Sequence, residues 1–70
     1  MTVWAVGDTP RQAIKAFCFA RYETTIVDVD EKPPNPGFGW TCEYRRVDGI
    51  GVRTASGIYV PGGVVMTHWE

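Results

Sequence analysis

The sequence predicts an α+β fold, with one helix packed on an antiparallel sheet of four to five strands in the order β-α-β-β-β-β. Three observations carry that expectation: a capped amphipathic helix signal near the start, runs of β-branched and aromatic residues after it, and Asp-Gly, Ser-Gly and Pro-Gly-Gly turn signals between those runs. Residues 1–70 are expected to form a single domain, because neither side of the proline-rich middle is long enough to fold alone. A chain this short buries only about 60% of the surface its unfolded form exposes. Its three Trp, three Tyr and three Phe therefore matter, since the chain contains no leucine and large aromatics bury the most area per residue.

Thr2 to Val6 reads as a short first strand. Thr9 is then a good N-cap, Pro10 suits the first helical position, and Gln12 completes a capping box, which predicts a helix over Pro10 to Arg21. At 100° per residue, Ala13, Ile14, Ala16, Phe17 and Ala20 share the side expected to face the core. Arg11, Gln12, Lys15 and Tyr22 fall opposite, together with Phe19. Thr24 to Asp30 reads as a strand with Val27 and Val29 on one face and Asp28 and Asp30 on the other. Lys32 to Gly39 holds three prolines in four positions and reads as an extended crossing loop.

A meander is expected to follow. Trp40 to Arg46 is a strand, Asp48-Gly49 a turn, and Ile50 to Thr54 another strand. A bulged loop with Gly49 left-handed pairs Arg46 with Ile50, Tyr44 with Val52 and Glu43 with Arg53. It gives one apolar face of Trp40, Cys42, Tyr44, Ile50 and Val52, and for that reason is preferred to a two-residue turn. Ser56-Gly57 and Pro61-Gly62-Gly63 read as further turns, with Ile58 to Val60 and Val64 to Trp69 as the last strands.

The inventory for catalysis is short. His68 and Ser56 are the sole histidine and serine, and no spacing links either to an orienting group. Cys18, Cys42 and His68 are too scattered for zinc, and Cys18 and Cys42 each lie in an apolar run, as buried thiols do. No helix follows the Gly-rich turns, so they are not a phosphate loop. The chain is expected to be no enzyme and to need no cofactor or metal. Met1-Thr2-Val3-Trp4 leads directly into a strand pattern and no apolar run approaches a membrane span, so a cytoplasmic location is expected.

Three groups of residues are candidate partner-binding sites. Phe19 among Arg11, Lys15 and Tyr22 has the anatomy of an aromatic anchor with a charged rim. Asp28 and Asp30, with Glu31 and Glu23 nearby, form an acidic patch suited to docking a basic groove. Arg45, Arg46 and Arg53 form an arginine group able to grip phosphate or carboxylates. A net charge of -1 argues against holding nucleic acid by bulk charge, so a nucleic-acid-binding module using the Arg45/Arg46/Arg53 sheet face is the alternative. A homodimer is compatible with either reading, because a single helix leaves sheet surface to cover.

In size and layout, with a β-strand, a capped helix, a meander and a surface of split charge, the chain resembles small phage-encoded inhibitors of the anti-CRISPR kind. The resemblance transfers no individual residue. It implies a non-enzymatic protein that binds and blocks a host protein or protein–nucleic-acid complex.

Overall fold

The computed structural model describes residues 3–33 and 39–70. Its elements follow the expected order: β1 (Ala5–Gly7), α1 (Pro10–Tyr22), β2 (Ile26–Glu31), β3 (Gly39–Arg46), β4 (Arg53–Val60) and β5 (Gly63–Trp69). The five strands form one curled antiparallel sheet in the order β1-β5-β4-β3-β2, so the first strand lies beside the last. Thr2 of the expected first strand and residues 34–38 of the expected proline-rich loop lie outside the described residues.

Helix α1 starts as its sequence dictates. Thr9 is extended and its hydroxyl oxygen accepts the Gln12 backbone N–H at 3.2 Å, with Pro10 at the first helical position. The helix stops at Glu23, which takes the left-handed conformation and returns its N–H to the Phe19 carbonyl. Pro10, Ala13, Ile14, Phe17 and Cys18 are buried, a stripe at the i, i+3, i+4, i+7, i+8 spacing. Ala16 and Ala20 are exposed and Tyr22 is half-buried, so the core stripe is rotated from the expected one toward Cys18. The reason is residue size: burying Cys18 removes more apolar surface than burying Ala16 or Ala20.

From the sheet, Ile26, Trp40, Cys42, Tyr44, Ala55, Val64 and Met66 complete the core. Two bulges decide which side chains reach it. Between Ile26 and Asp28 the β2 register slips, so Ile26 and Val29 face the helix while Val27 is exposed. On β5, Gly57 pairs with Met66 and Ser56 with His68, leaving Thr67 as the extra residue. Past that point Trp69 joins the core side and His68 is exposed. Strict alternation, the basis of the expected Val27/Val29 face, fails at both places.

The β3–β4 connection differs most from expectation. Tyr44 pairs with Arg53, not Val52, and Glu43 pairs with Thr54, not Arg53. Ile50 and Val52 belong to the loop 47–52 and are exposed. Ser56-Gly57 is no turn but the middle of β4. The expected register, continued along the strands, would put Thr54 under Cys42 and Ser56 under Trp40. The observed one puts Ala55 under Cys42 and Gly57 under Trp40, which keeps hydroxyls out of the core. Gly57 is required there: a Cβ would run into the Val65 carbonyl oxygen, the Met66 Cα and the Trp40 ring.

Gly57→Ala is therefore expected to cost about 3 kcal/mol or more, because the atoms it meets are mostly backbone and cannot swing aside. Thr9→Ala, which removes one capping acceptor, should cost only about 1 kcal/mol. Urea melts of the two variants check the order, and near-equal midpoints would show that β4 and β5 can separate at little cost.

Candidate interaction surface

Three ionisable groups are buried, Cys18, Cys42 and Tyr44. Cys18 and Cys42 are free thiols in the core. Burial pushes the Cys18 thiol above its ordinary 9.0, and burial, with Glu31 and Asp30 nearby, pushes Cys42 up to about 11. The Tyr44 hydroxyl, hydrogen-bonded to Cys18, is raised by burial to about 12. At neutral pH these thiols stay protonated, which makes them poor nucleophiles. His68 is exposed on β5. Among the described residues no group of three or more His, Cys, Asp or Glu is placed to hold a metal ion.

The surface is more informative than the interior. α1 ends, β2 begins, β3 turns into β4 and β5 finishes at one pole of the domain. At this pole the Val47 N–H is bonded to the Thr25 carbonyl, which anchors the loop 47–52 beside the start of β2. Ile50 in this loop is 93% exposed, Val47 and Val52 of the same loop are exposed, and Val27 is exposed at the adjoining start of β2. Val52 borders Asp28, Asp30, Glu43 and Arg45 in a shallow hollow on the open sheet face. The patch is thus aliphatic at its centre with charges of both signs at its rim.

Phe19, 70% exposed, projects from the last turns of α1, one turn before the helix reaches this pole. Arg11 and Lys15 are exposed on the same helix face, and neither forms an ion pair with a described residue. The helix carries Arg11, Lys15 and Arg21 and no acidic residue. Tyr22 does not belong to this outer group. Its ring packs edge-on against Phe17 and Trp69, and the Arg46 guanidinium lies 4.0 Å from its centroid.

The structure separates the three sheet arginines. Arg45 lies on the open face and faces Asp28 at 3.6 Å. Arg46, opposite Ile26, turns to the helix side, where it is held by Tyr22 and by Asp48 at 3.3 Å. Arg53, opposite Tyr44, belongs to the helix side as well. The expected single Arg45/Arg46/Arg53 face does not exist, because the odd-numbered pairing of Tyr44 with Arg53 moves Arg53 across the sheet. Asp28 and Asp30 do share the open face, but Lys32 bridges Asp30 at 3.0 Å and Glu43 at 2.9 Å. These exposed bridges contribute little stability and leave a mixed surface rather than a purely acidic one.

The aliphatic patch escaped the sequence because Ile50 and Val52 read as core. Its available signal was the glycine on each side of Ile50 in Asp48-Gly49-Ile50-Gly51, which favours an open loop over a strand; Gly51 has a φ of 83°. No protein-family model, curated protein or solved structure matches the chain.

The buried acids carry a pH signature. The unfolded chain releases the Cys42 and Tyr44 protons at their ordinary values of 9.0 and 10.0, whereas the folded chain keeps them to about 11 and 12. Stability is therefore full below pH 9 and is lost as pH rises through that window. The urea midpoint is expected to hold to about pH 8.5 and then fall steadily, and Cys42→Ala should weaken the fall across the lower half. A midpoint unchanged at pH 11 would mean that both groups ionise freely in the fold.

Proposed function

We propose that the chain is a non-enzymatic interaction protein that docks on another protein through the pole built by the loop 47–52. The observation that carries this reading is Ile50, 93% exposed in a loop whose Val47 and Val52 are exposed as well, with charges of both signs beside Val52. An aliphatic centre with a polar rim is how protein interfaces are built. Nucleic acid is a poor match for this patch: aliphatic side chains offer no stacking face, and Asp28 and Asp30 repel phosphate. Phe19 on the basic helix face supplies a second anchor on an adjoining surface. The shared size and layout with phage-encoded inhibitors supports blocking a host nucleic-acid-handling complex as the consequence of docking.

Ile50→Asp and Phe19→Ala are both expected to leave the urea midpoint nearly unchanged, within about 0.5 kcal/mol, because neither side chain fills space in the core. A loss of about 3–5 kcal/mol in Phe19→Ala would instead place that ring in the interior.

Binding is tested with a bait of the intact chain in host lysate, followed by affinity measurement on the protein it captures. Ile50→Asp should weaken that affinity at least about 10-fold, the equivalent of 1.4 kcal/mol. Unchanged affinity in Ile50→Asp would exclude the loop as the contact. A concentration-dependent dimer of the purified chain, dissolved by Ile50→Asp, would identify the occupant as a second copy.

A further inference from the structure

Away from the aliphatic loop, the same pole holds a cavity of about 340 Å³ lined by Trp4, Phe17, Ala20 and Arg21. It lies between the segment that leads into β1 and the last turns of α1. It is an open hollow on the surface, so a ligand there would be held on one side and stay partly in water.

The lining has a distinct chemistry. Trp4 is 45% exposed, and its indole stands nearly perpendicular to Trp69 with centroids 5.9 Å apart. Ala20 adds no bulk. The Arg21 guanidinium lies 4.9 Å from the Trp69 centroid and 5.9 Å from that of Tyr22. A guanidinium resting on an aromatic face keeps its N–H donors in its own plane, free for an anion. Arg21 forms no ion pair with a described residue, and no carboxylate is among the described residues that line the cavity.

We propose that this cavity binds a planar unsaturated ring bearing an anionic group, and that the ligand is an unpaired nucleotide. The base rests on the half-exposed Trp4 indole, with the buried Phe17 ring beneath the hollow, and the phosphate takes the Arg21 donors. A purely apolar ligand would leave the guanidinium uncompensated, and a bare anion would leave the Trp4 ring wet. The site binds by stacking plus a single charge, so the net charge of -1 does not stand against it. This goes beyond the protein-docking reading and stands independently of it.

The nucleotide can be free or part of a single strand, and a titration followed by proton–nitrogen NMR separates the two. The probes are thymidine monophosphate, thymidine, inorganic phosphate and a short oligothymidylate. Thymidine monophosphate is expected to move the Trp4 indole and Arg21 side-chain signals with a Kd in about the millimolar range. The Trp40 indole is an internal control, since it is buried and donates to the Ile58 carbonyl at 3.3 Å. Thymidine alone and phosphate alone should each shift the site less at equal concentration. An oligothymidylate at least about 10-fold tighter identifies a single strand as the source, and an equal affinity identifies the free nucleotide. For the strand, the slope of log K on log salt should be about -0.7, the value for one phosphate contact.

Arg21→Gln, which lies outside the core, should weaken the response about 10-fold, and Trp4→Ala should do the same if it remains folded. Several outcomes overturn the proposal: no movement of Trp4 and Arg21 at millimolar ligand, a response that inorganic phosphate fully reproduces, a salt slope of several contacts, or an Arg21→Gln chain that binds as the parent does.

Discussion

The ring of Trp40 and the backbone of β5 occupy the space that any side chain at residue 57 would need. Glycine there lets β4 and β5 approach, and leaves room for Trp40, the largest fully buried side chain. Once Gly57 sits under Trp40, the remaining pairs follow: Ala55 under Cys42, Thr54 beside Glu43, and Arg53 beside Tyr44. The residues between Arg46 and Arg53 then have no partners in the sheet. Ile50 and its neighbours project because a packing demand near the other end of the hairpin leaves them no place inside. The aliphatic pole is in this sense a by-product of the core, placed by a contact between a glycine and a tryptophan.

How legible this was can be judged residue by residue. The helix was readable because its start is written in local chemistry, with Thr9, Pro10 and Gln12 acting through contacts a few residues apart. The order of elements along the chain and the outward position of Phe19 followed from patterning. The β3–β4 register did not, because two loop aliphatics favoured one alignment locally while Ala55 and Gly57 favoured the other only once the whole strand was laid against its partner. The two bulges were hidden for a related reason. A single extra residue at Val27 or Thr67 leaves no compositional mark, yet it reverses which side chains beyond it face inward. The Trp4–Arg21 cavity could not be foreseen, since it forms only when the segment before β1 is laid against the last turns of α1.

Electrostatically the domain is divided. The charged residues of α1 are all basic, while the rest of the chain holds all eight Asp and Glu residues and an excess of negative charge. Arg21 and Arg46 are absorbed into an aromatic stack, where they contribute packing as much as charge. Lys32 and Arg45 tie down the open sheet face. Arg11 and Lys15 are left to define the field that an approaching partner meets on the helix side. A partner would therefore be oriented by the sign of each face before the apolar contacts at the pole close.

The pairing of β1 with β5 has a consequence for how the molecule is made. Ala5 meets Met66, so one edge of the sheet joins residues at nearly the widest separation the chain offers. During synthesis β1 has no partner until β5 has left the ribosome, and α1 has only part of the surface that it finally covers. The β2–β3–β4 meander, closed by nearer neighbours, is free to assemble first. The aromatic group of Trp4, Phe17, Tyr22 and Trp69 then forms at the closing step, as the two ends of the sequence meet. A nascent chain displays those rings until β5 arrives to cover them.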